Sequence, residues 1–344
     1  MPSNANDKAT PILLLSETNT EMAFMTSPHK TSATGCLNKL IFLTILILSS
    51  GILGWFAGKA WISLVVGVNE GKNAKVFSET SNESNVSKIN NEELQRKNKL
   101  RSRRQSLGLN PNLFVTLVDE YFSEQYPSQK GRHLSNNDED YSWRKKWDQT
   151  AAYLLDILAS LSPEAVQRMG TYTQSDQHHW KQQVNNLHLS SRALYNLVDT
   201  RFFHVFPEHK NTSFLNKAIG QIWNSMMFDT LQALQSSSIY EKLPLTAVES
   251  NFIRREATLK LGEGRAYVLF LEASDRMRFD LKANRDISLS IYSPTGDNNL
   301  IENSQQHQWS GILPETGYYE IIIVSHSKKI VNCQLEILVN KSNL

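Results

Sequence analysis

The chain has 344 residues, of which 40% are hydrophobic and 20% charged, and its formal net charge at pH 7 is +2. This length provides for two or three domains, and the near-neutral charge argues against binding of nucleic acid by the chain as a whole. Its two cysteines, Cys36 and Cys333, lie on opposite sides of the most hydrophobic stretch, so no intramolecular disulfide is expected.

The chain begins with a polar segment, residues 1–38, whose composition is typical of a disordered tail. The stretch Leu40–Gly58 follows and contains no charged residue. A helix of about 20 apolar residues spans the roughly 30 Å of hydrocarbon in a bilayer, so we predict one transmembrane helix within residues 39–68, an uncleaved signal anchor. Residues expected at its membrane interfaces are Lys39, Trp55, Lys59 and Trp61.

Residues 69–108 are polar and predict a basic, partly helical linker. Its cationic cluster comprises Arg96, Lys97, Lys99, Arg101, Arg103 and Arg104. One interpretation is contact with an anionic surface, either anionic lipid or a cell-wall polymer. The alternative is a solvated spacer, and the lack of aromatic residues for base stacking argues against nucleic acid.

Helical spacing of apolar residues predicts a bundle of four or five helices over residues 109–243. Asn110 followed by Pro111 is a helix start signal. One long helix is expected over residues 175–206, and a central helix follows it. Trp143 and Trp147 are candidates for a partner-binding groove, since tryptophan supplies a large rigid contact area; the alternative is that they belong to the core.

After Pro244 the apolar residues alternate with polar ones, as in DISLSIY, which is typical of half-buried strands. Some eight such strands over residues 250–340 predict a β-sandwich, with Cys333 pointing inward. The predicted fold class is therefore α+β multidomain with one transmembrane helix, in which a helical bundle is followed by a jelly-roll-like antiparallel β-sandwich.

No catalytic signature is found in the sequence. G-x-S-x-G, H-E-x-x-H and P-loop motifs are all missing. His178 and His188 would face apart on one helix, and Pro207 separates His204 from Glu208, so no metal site is expected. We therefore expect no enzyme activity, no catalytic residue and no cofactor.

Residues 265–339 contain RAYVLFLEASDRMRFDLKAN, DISLSIYSPTG and WSGILPETGYYEIIIVS, and they resemble the pre-peptidase carboxyl-terminal type of β-sandwich. That resemblance implies a mostly non-catalytic, extracytoplasmic appendage. The helical stretch that begins LSPEAVQRMGTYTQ resembles single-pass cyanobacterial envelope proteins of unassigned activity. The lysines that flank Leu40–Gly58 do not fix its direction, so the resemblance alone places the amino terminus in the cytoplasm and the folded domains in the periplasm.

The leading hypothesis is a non-enzymatic interaction or scaffold protein anchored by a single pass in the cytoplasmic membrane. It would contact envelope protein partners, with a role in a septal or cell–cell junction complex, and would not bind nucleic acid. A second hypothesis is an envelope enzyme or regulatory subunit whose β-sandwich binds glycan. A third, an inward-facing receptor that binds nucleic acid through the cationic cluster, requires the opposite topology.

Overall fold

A computed structural model describes residues 82–244, 252–296 and 299–341, with the side chains of residues 82–90 excepted. All of these residues belong to one compact unit, residues 79–344. The predicted tail, residues 1–38, and the predicted membrane segment, residues 39–68, lie outside the described residues. So do the four residues predicted at the membrane interfaces, Lys39, Trp55, Lys59 and Trp61.

Seven α-helices occupy the first part of the described chain. They are α1 (Asn82–Ser106), α2 (Pro111–Gln125), α3 (Tyr141–Leu158), α4 (Pro163–Gln167), α5 (Gln174–Asn185), α6 (Ser191–Val205) and α7 (Ala218–Gln235). Short 3-10 turns lie at Pro127–Gln129, Asp138–Asp140 and Pro207–His209. The start signal of α2 is confirmed, because the Asn110 side chain accepts from the amides of Asn112 and Leu113 at 2.9 and 3.2 Å.

The expected long helix over residues 175–206 was wrong, because two helices, α5 and α6, occupy this segment. His188 lies between them with a φ of 58°, a left-handed conformation that cannot continue a right-handed helix. Ser190 then begins α6, since its hydroxyl accepts from the amide of Ala193 at 3.2 Å. The break turns the chain so that α6 can pack on a β-sheet.

Across residues 82–244, 252–296 and 299–341, no helix has both the length and the apolar character that a membrane crossing requires. The expected fold class is corrected accordingly: the structure is α+β, a helical region followed by β-sheets, and it shows no transmembrane helix. α1 has 25 residues but is strongly charged, and α7, with 18, uses its apolar side chains in the protein core. Leu40–Gly58, on which the expectation rested, lies outside the described residues.

Nine strands follow α7 in the described chain. They are β1 (Tyr240–Lys242), β2 (Phe252–Leu259), β3 (Gly264–Leu271), β4 (Arg276–Lys282), β5 (Ile287–Tyr292), β6 (Ile301–Ser304), β7 (Gln308–Ile312), β8 (Gly317–Ser325) and β9 (Val331–Asn340). They form a five-stranded sheet, β1-β3-β8-β5-β6, and a four-stranded sheet, β2-β9-β4-β7.

The pairing of the strands is that of a long hairpin rolled into two sheets. β2 pairs with β9, β3 with β8, β4 with β7 and β5 with β6, all antiparallel. The further pairs β4–β9 and β5–β8 close the two sheets, which is the order of an eight-stranded jelly roll. β1 adds to the edge of the first sheet, parallel to β3, and connects it to the helices.

The molecule has three layers, because the helices cover the outer face of the five-stranded sheet. Ala266, Val268, Tyr292, Ile322 and Val324 pack into the helical core from that face. Their neighbours in sequence, such as Ile291 and Ile321, pack between the two sheets. The expectation of half-buried strands was therefore wrong for β5, which is buried on both faces. Its outward serines, Ser288 and Ser290, are both buried, and Asn196 of α6 donates to the Ser290 hydroxyl at 3.1 Å.

Candidate functional site

α1 packs beside α3 mainly through charged residues. Arg144 donates to both carboxylate oxygens of Glu93, at 2.8 and 3.0 Å. Arg96 Nε lies 3.2 Å from Asp148 Oδ2, and Arg103 pairs with Asp156 further along. The partners advance in the same direction on both helices, so α1 and α3 run parallel. Leu100 is the one buried apolar residue described on α1, so charge pairing replaces an apolar stripe there.

The two buried carboxylates at the interface between α1 and α3, Glu93 and Asp148, differ in their electrostatics. The hydrogen bonds from Arg144 hold the pKa of Glu93 at about 2 against the opposing effect of burial, so Glu93 stays ionised. Burial raises the pKa of Asp148, and Arg96 offsets only part of that effect. Asp148 is 3% exposed, and its Oδ1 has no hydrogen-bond partner among the described residues. An unsatisfied buried acceptor of this kind favours a ligand that donates.

The structure gives most of the predicted cationic cluster an intramolecular partner. Arg96 and Arg103 pair with the carboxylates on α3. Lys97 Nζ lies 2.6 Å from Glu93, and Arg104 donates to the carbonyl of Leu109. Lys99 and Arg101 are exposed. Two of the six cations thus dock α1 on α3 and two more have partners nearby in the chain, which leaves a smaller positive surface than the sequence predicts.

A cavity of about 460 Å³ lies beside this charged interface. Val115, Phe122, Leu134 and Trp147 form its apolar walls. The indole of Trp147 is fixed because its Nε1 donates to Asp119 Oδ1 at 2.7 Å. The cavity is thus bounded by side chains from α2 and α3 and by the loop between these helices.

The polar groups around the cavity are held by one another. Arg144, besides its bond with Glu93, donates to the carbonyls of Ser135 and Asn137 at 2.6 and 2.8 Å. Arg132 pairs with Asp140, which also accepts from the Ser135 amide. These bonds pin the loop over residues 132–140 against α3. Asp148 Oδ1 stands out among the lining groups, because the charges of Arg132 and Arg144 are compensated.

The two candidate groove tryptophans have different environments. Trp147 lines the cavity, whereas Trp143 is not among its lining residues. The Trp143 ring packs edge-on against Tyr126, with centroids 5.7 Å apart, and Lys146 Nζ lies 4.2 Å above it. Both are partly exposed, in contrast to Trp180 and Trp223, which belong to the core. Only Trp147 therefore contributes to a concave site.

Sequence reasoning missed Glu93, Arg144 and Asp148, the buried charges of the site. A usable signal was present, because Arg144 and Asp148 are four residues apart and lie on one face of α3.

The expected inward position of Cys333 is confirmed, since the thiol is buried and lies 3.4 Å from the carbonyl of Ala257. Within the described ranges no group of three or more His, Cys, Asp or Glu side chains could hold a metal ion.

Comparison with known proteins gives one related sequence. No protein-family model matches the chain. A serine/threonine-protein kinase-like protein E of Synechocystis sp. is 31% identical over 316 residues, which cover 88% of this chain and 50% of that protein. The chain thus spans about half the length of the curated relative it matches. A cyanobacterial homologue therefore exists, while the pre-peptidase resemblance stays a prediction.

Solved structures with local similarity are small β-proteins. A periplasmic inhibitor of g-type lysozyme from Aeromonas hydrophila matches with a TM-score of 0.26 and 14% identity, over 29% of this chain and 96% of that one. The corresponding inhibitor from Salmonella Typhimurium matches with a TM-score of 0.24 and 14% identity, over 29% of this chain and 97% of that one. Scores this low carry no argument about function.

Proposed function

We propose that this chain is a non-enzymatic interaction module that binds a partner group in the cavity beside Trp147. The observation that carries the proposal is the buried Asp148 Oδ1, which has no hydrogen-bond partner among the described residues although Oδ2 pairs with Arg96, at the wall of a cavity that also has apolar walls. A volume of 460 Å³ lies within the range of roughly 300–1,000 Å³ typical of small-ligand pockets. The occupant we expect has an apolar body and an N–H or O–H donor directed at Asp148.

Most of the charged groups around the cavity are held in ion pairs, which suits binding better than acid–base catalysis. A general acid or base needs a pKa near the working pH and access to the reacting group. Glu93 has the opposite property, because its pKa of about 2 and its bonds with Arg144 keep it ionised and paired. Arg144 and Arg132 are likewise held in ion pairs that pin the loop over residues 132–140. Their role in this proposal is to keep the pocket shaped before the partner arrives.

The relative suggests where such a module would act. That protein is named kinase-like and is about twice as long as the region matched here. The H-R-D and D-F-G motifs of protein kinases do not occur in this sequence. We therefore propose that the matched half of the relative is a binding module, and that its kinase-like character belongs to the other half. In this chain the module would bind a target on behalf of the domain or partner protein to which it is attached.

A site-specific photo-crosslinker tests the cavity. Val115 lines the cavity and is 45% exposed, so a photo-reactive amino acid placed there in producing cells should capture the bound partner. The same amino acid at Ile330, an exposed position on the jelly roll, is the control.

Two variants and a matched control complete this test. Capture from Val115 should be lost in W147A and D148N, whereas W143A should retain it, since Trp143 does not line the cavity. Equal capture from Ile330, or unchanged capture in D148N, would contradict the proposed site. Thermal unfolding of each variant separates loss of binding from loss of the fold.

A second candidate function is glycan binding by the jelly roll, and an exposed aromatic cluster favours it. His188 stacks on Tyr318 with ring centroids 3.8 Å apart, and Phe270 contacts Tyr318 edge-on at 5.3 Å. Lys242 Nζ lies 2.6 Å from the Tyr318 hydroxyl, which fixes the ring. Phe270 is 47% exposed and could pack against the apolar face of a sugar.

Calorimetric titration with soluble cell-wall oligosaccharides tests the glycan alternative. F270A should abolish binding, whereas F252A should not, because Phe252 is similarly exposed, at 46%, but lies on the other sheet.

The extracytoplasmic location, the envelope partners and a role at septal or cell–cell junctions stay predictions from the sequence. Contact of Lys99 and Arg101 with anionic lipid or wall polymer is likewise a prediction.

A further inference from the structure

A second cavity, of about 680 Å³, lies within the helical layer between α5 and α7. The loop over residues 212–217, which leads into α7, forms a further wall. We call this cavity the amide cleft, because carboxamide side chains are prominent among the described residues that line it: Gln174, Gln177, Asn216, Gln221 and Asn224. The cavity beside Trp147 shares none of its lining residues, so the amide cleft is a separate site.

Two of these amides, from α5 and α7, hold each other and keep one free group each. Gln177 Nε2 donates to Asn224 Oδ1 at 2.9 Å. Among the described residues, Asn224 Nδ2 and Gln177 Oε1 have no hydrogen-bond partner. Asn224 is 3% exposed yet lines the amide cleft, so the cleft is the open volume that its Nδ2 donor faces. The pair thus offers one unused donor and one unused acceptor to a ligand.

This complement of donor and acceptor is the same whichever way the two amides are turned. Reversing a carboxamide exchanges its N–H donors for its oxygen acceptor. If both side chains were reversed, Asn224 Nδ2 would donate to Gln177 Oε1, and Asn224 Oδ1 and Gln177 Nε2 would be left free. A buried amide that lacks part of its hydrogen bonds favours a ligand able to satisfy both free groups.

Other groups of the amide cleft are already held by partners. Gln221 Oε1 accepts from the amide of Gly170 at 2.9 Å, and its Nε2 donates to the carbonyl of Tyr172 at 3.3 Å. Lys217, the charged side chain among the described lining residues, lies with its Nζ 2.8 Å from Glu124 Oε1. Because this charge is compensated, the cleft suits a neutral ligand.

The rest of the lining is mostly polar and uncharged. Thr173, Thr212 and Ser213 bring hydroxyl groups, and Leu215, which is 42% exposed, brings an apolar side chain. Small-ligand pockets are usually lined mainly by apolar groups. A cleft lined instead by amides and hydroxyls matches a ligand that itself carries many hydroxyl groups.

We propose that the amide cleft binds an uncharged sugar ring. Hydroxyl groups both donate and accept, so hydroxyls of one ring would accept from Asn224 Nδ2 and donate to Gln177 Oε1. Leu215 would contact the C–H groups of the ring. The proposal is distinct from glycan binding by the jelly roll, because the amide cleft lies in the helical layer and neither Phe270 nor Tyr318 lines it.

Saturation-transfer difference NMR of the full chain tests this proposal. Glucose and N-acetylglucosamine are the sugar probes, and N-methylacetamide is the probe for a peptide group. Saturable transfer to the ring protons of either sugar supports the proposal. Transfer to N-methylacetamide but to neither sugar, or to none of the three probes, overturns it.

Variants of the two amides locate the bound sugar. Q177M and N224L should each raise its Kd at least roughly fivefold, since each removes a hydrogen-bonding group from the ligand. The matched control is Q182M, which changes an exposed glutamine of α5 that does not line the cleft and should leave the Kd unchanged. If N224L does not fold, Q177M, at a partly exposed position, carries the comparison.

F270A separates this site from the jelly roll and should leave the Kd unchanged. If F270A abolishes sugar binding while Q177M retains it, the sugar binds the jelly roll and the proposal for the amide cleft is overturned. Equal weakening by Q182M and Q177M would overturn it as well.

Discussion

The hydroxyl of Ser190 donates to the Glu320 carboxylate across 2.8 Å, from the first residue before α6 to the central strand β8. Glu320 is 5% exposed, and burial raises its pKa to about 7. Ser190 also caps α6, so one side chain both starts the helix and seats it on the sheet. This contact joins the helical layer to the jelly roll through a titratable group.

Replacing Glu320 should make the contact independent of pH. An acid whose pKa is higher in the folded state than in the unfolded chain binds more protons when folded, so stability falls as pH rises from the unfolded value to the folded one. For Glu320 that window runs from 4.5 to about 7. Since one pKa unit corresponds to about 1.4 kcal/mol, E320Q should be more stable than the parent by up to about 3 kcal/mol at pH 8, with little difference near pH 4.5.

Urea unfolding at several pH values measures this effect. The control is E256Q, which changes an exposed carboxylate on the other sheet and should show no such dependence. A difference between E320Q and the parent that is the same at pH 5 and pH 8 would contradict the assigned protonation behaviour.

Glu93→Gln should loosen α1 from the rest of the fold. The change leaves Arg144 buried without its carboxylate, and breaking a buried pair of this kind costs about 3 kcal/mol. The Glu93 pKa of about 2 is below its unfolded value, so this stabilisation is present above about pH 4.5 and is lost as pH falls toward 2. Hydrogen exchange of α1 amides should accelerate in E93Q relative to those of α7.

A neighbouring exposed residue provides the control for this prediction. R101M removes a charge from the same helix at an exposed position and should change stability by less than about 0.5 kcal/mol. If R101M accelerated hydrogen exchange of α1 as much as E93Q, the total charge of the helix would explain its docking better than the specific Glu93–Arg144 ion pair does.

Gly264→Ala should destabilise the contact between α6 and the five-stranded sheet. An added Cβ would overlap Leu197 Cδ2 and lie 2.9 Å from Val324 Cγ1 and 3.0 Å from the backbone carbonyl oxygen of Ile323, so these neighbours would have to shift. Overpacking of this kind costs about 1–3 kcal/mol. Measured by thermal unfolding, the double variant G264A/L197A should show less destabilisation than the sum of its single changes. Strict additivity would place the strain somewhere other than this contact.

Cys333 should resist alkylation in the folded chain. Its thiol is buried on β9, and burial raises its pKa, so little thiolate is available. In a C36S background, iodoacetamide should label Cys333 only at the rate of unfolding, with labelling followed by mass spectrometry. Rapid labelling under native conditions would show that the jelly roll opens locally around β9.

Local sequence signals determined much of the secondary structure. Asn110 and Pro111 predicted the start of α2, because a cap and a proline act within one turn. The alternation in β9 predicted both the strand and the inward side of Cys333, since side chains on a strand alternate between faces. These outcomes depend on residues that lie close together along the chain.

Only the tertiary structure decided which polar residues are buried away from solvent. Ser290 and Glu320 occupy positions that alternation assigns to solvent, yet Asn196 and Ser190 reach them from α6 and satisfy them there. The same holds for Arg96, which belongs to a cationic run in the sequence but faces Asp148 on α3. A hydrogen bond or ion pair between distant segments depends on how those segments pack. The local sequence around either residue therefore does not predict it.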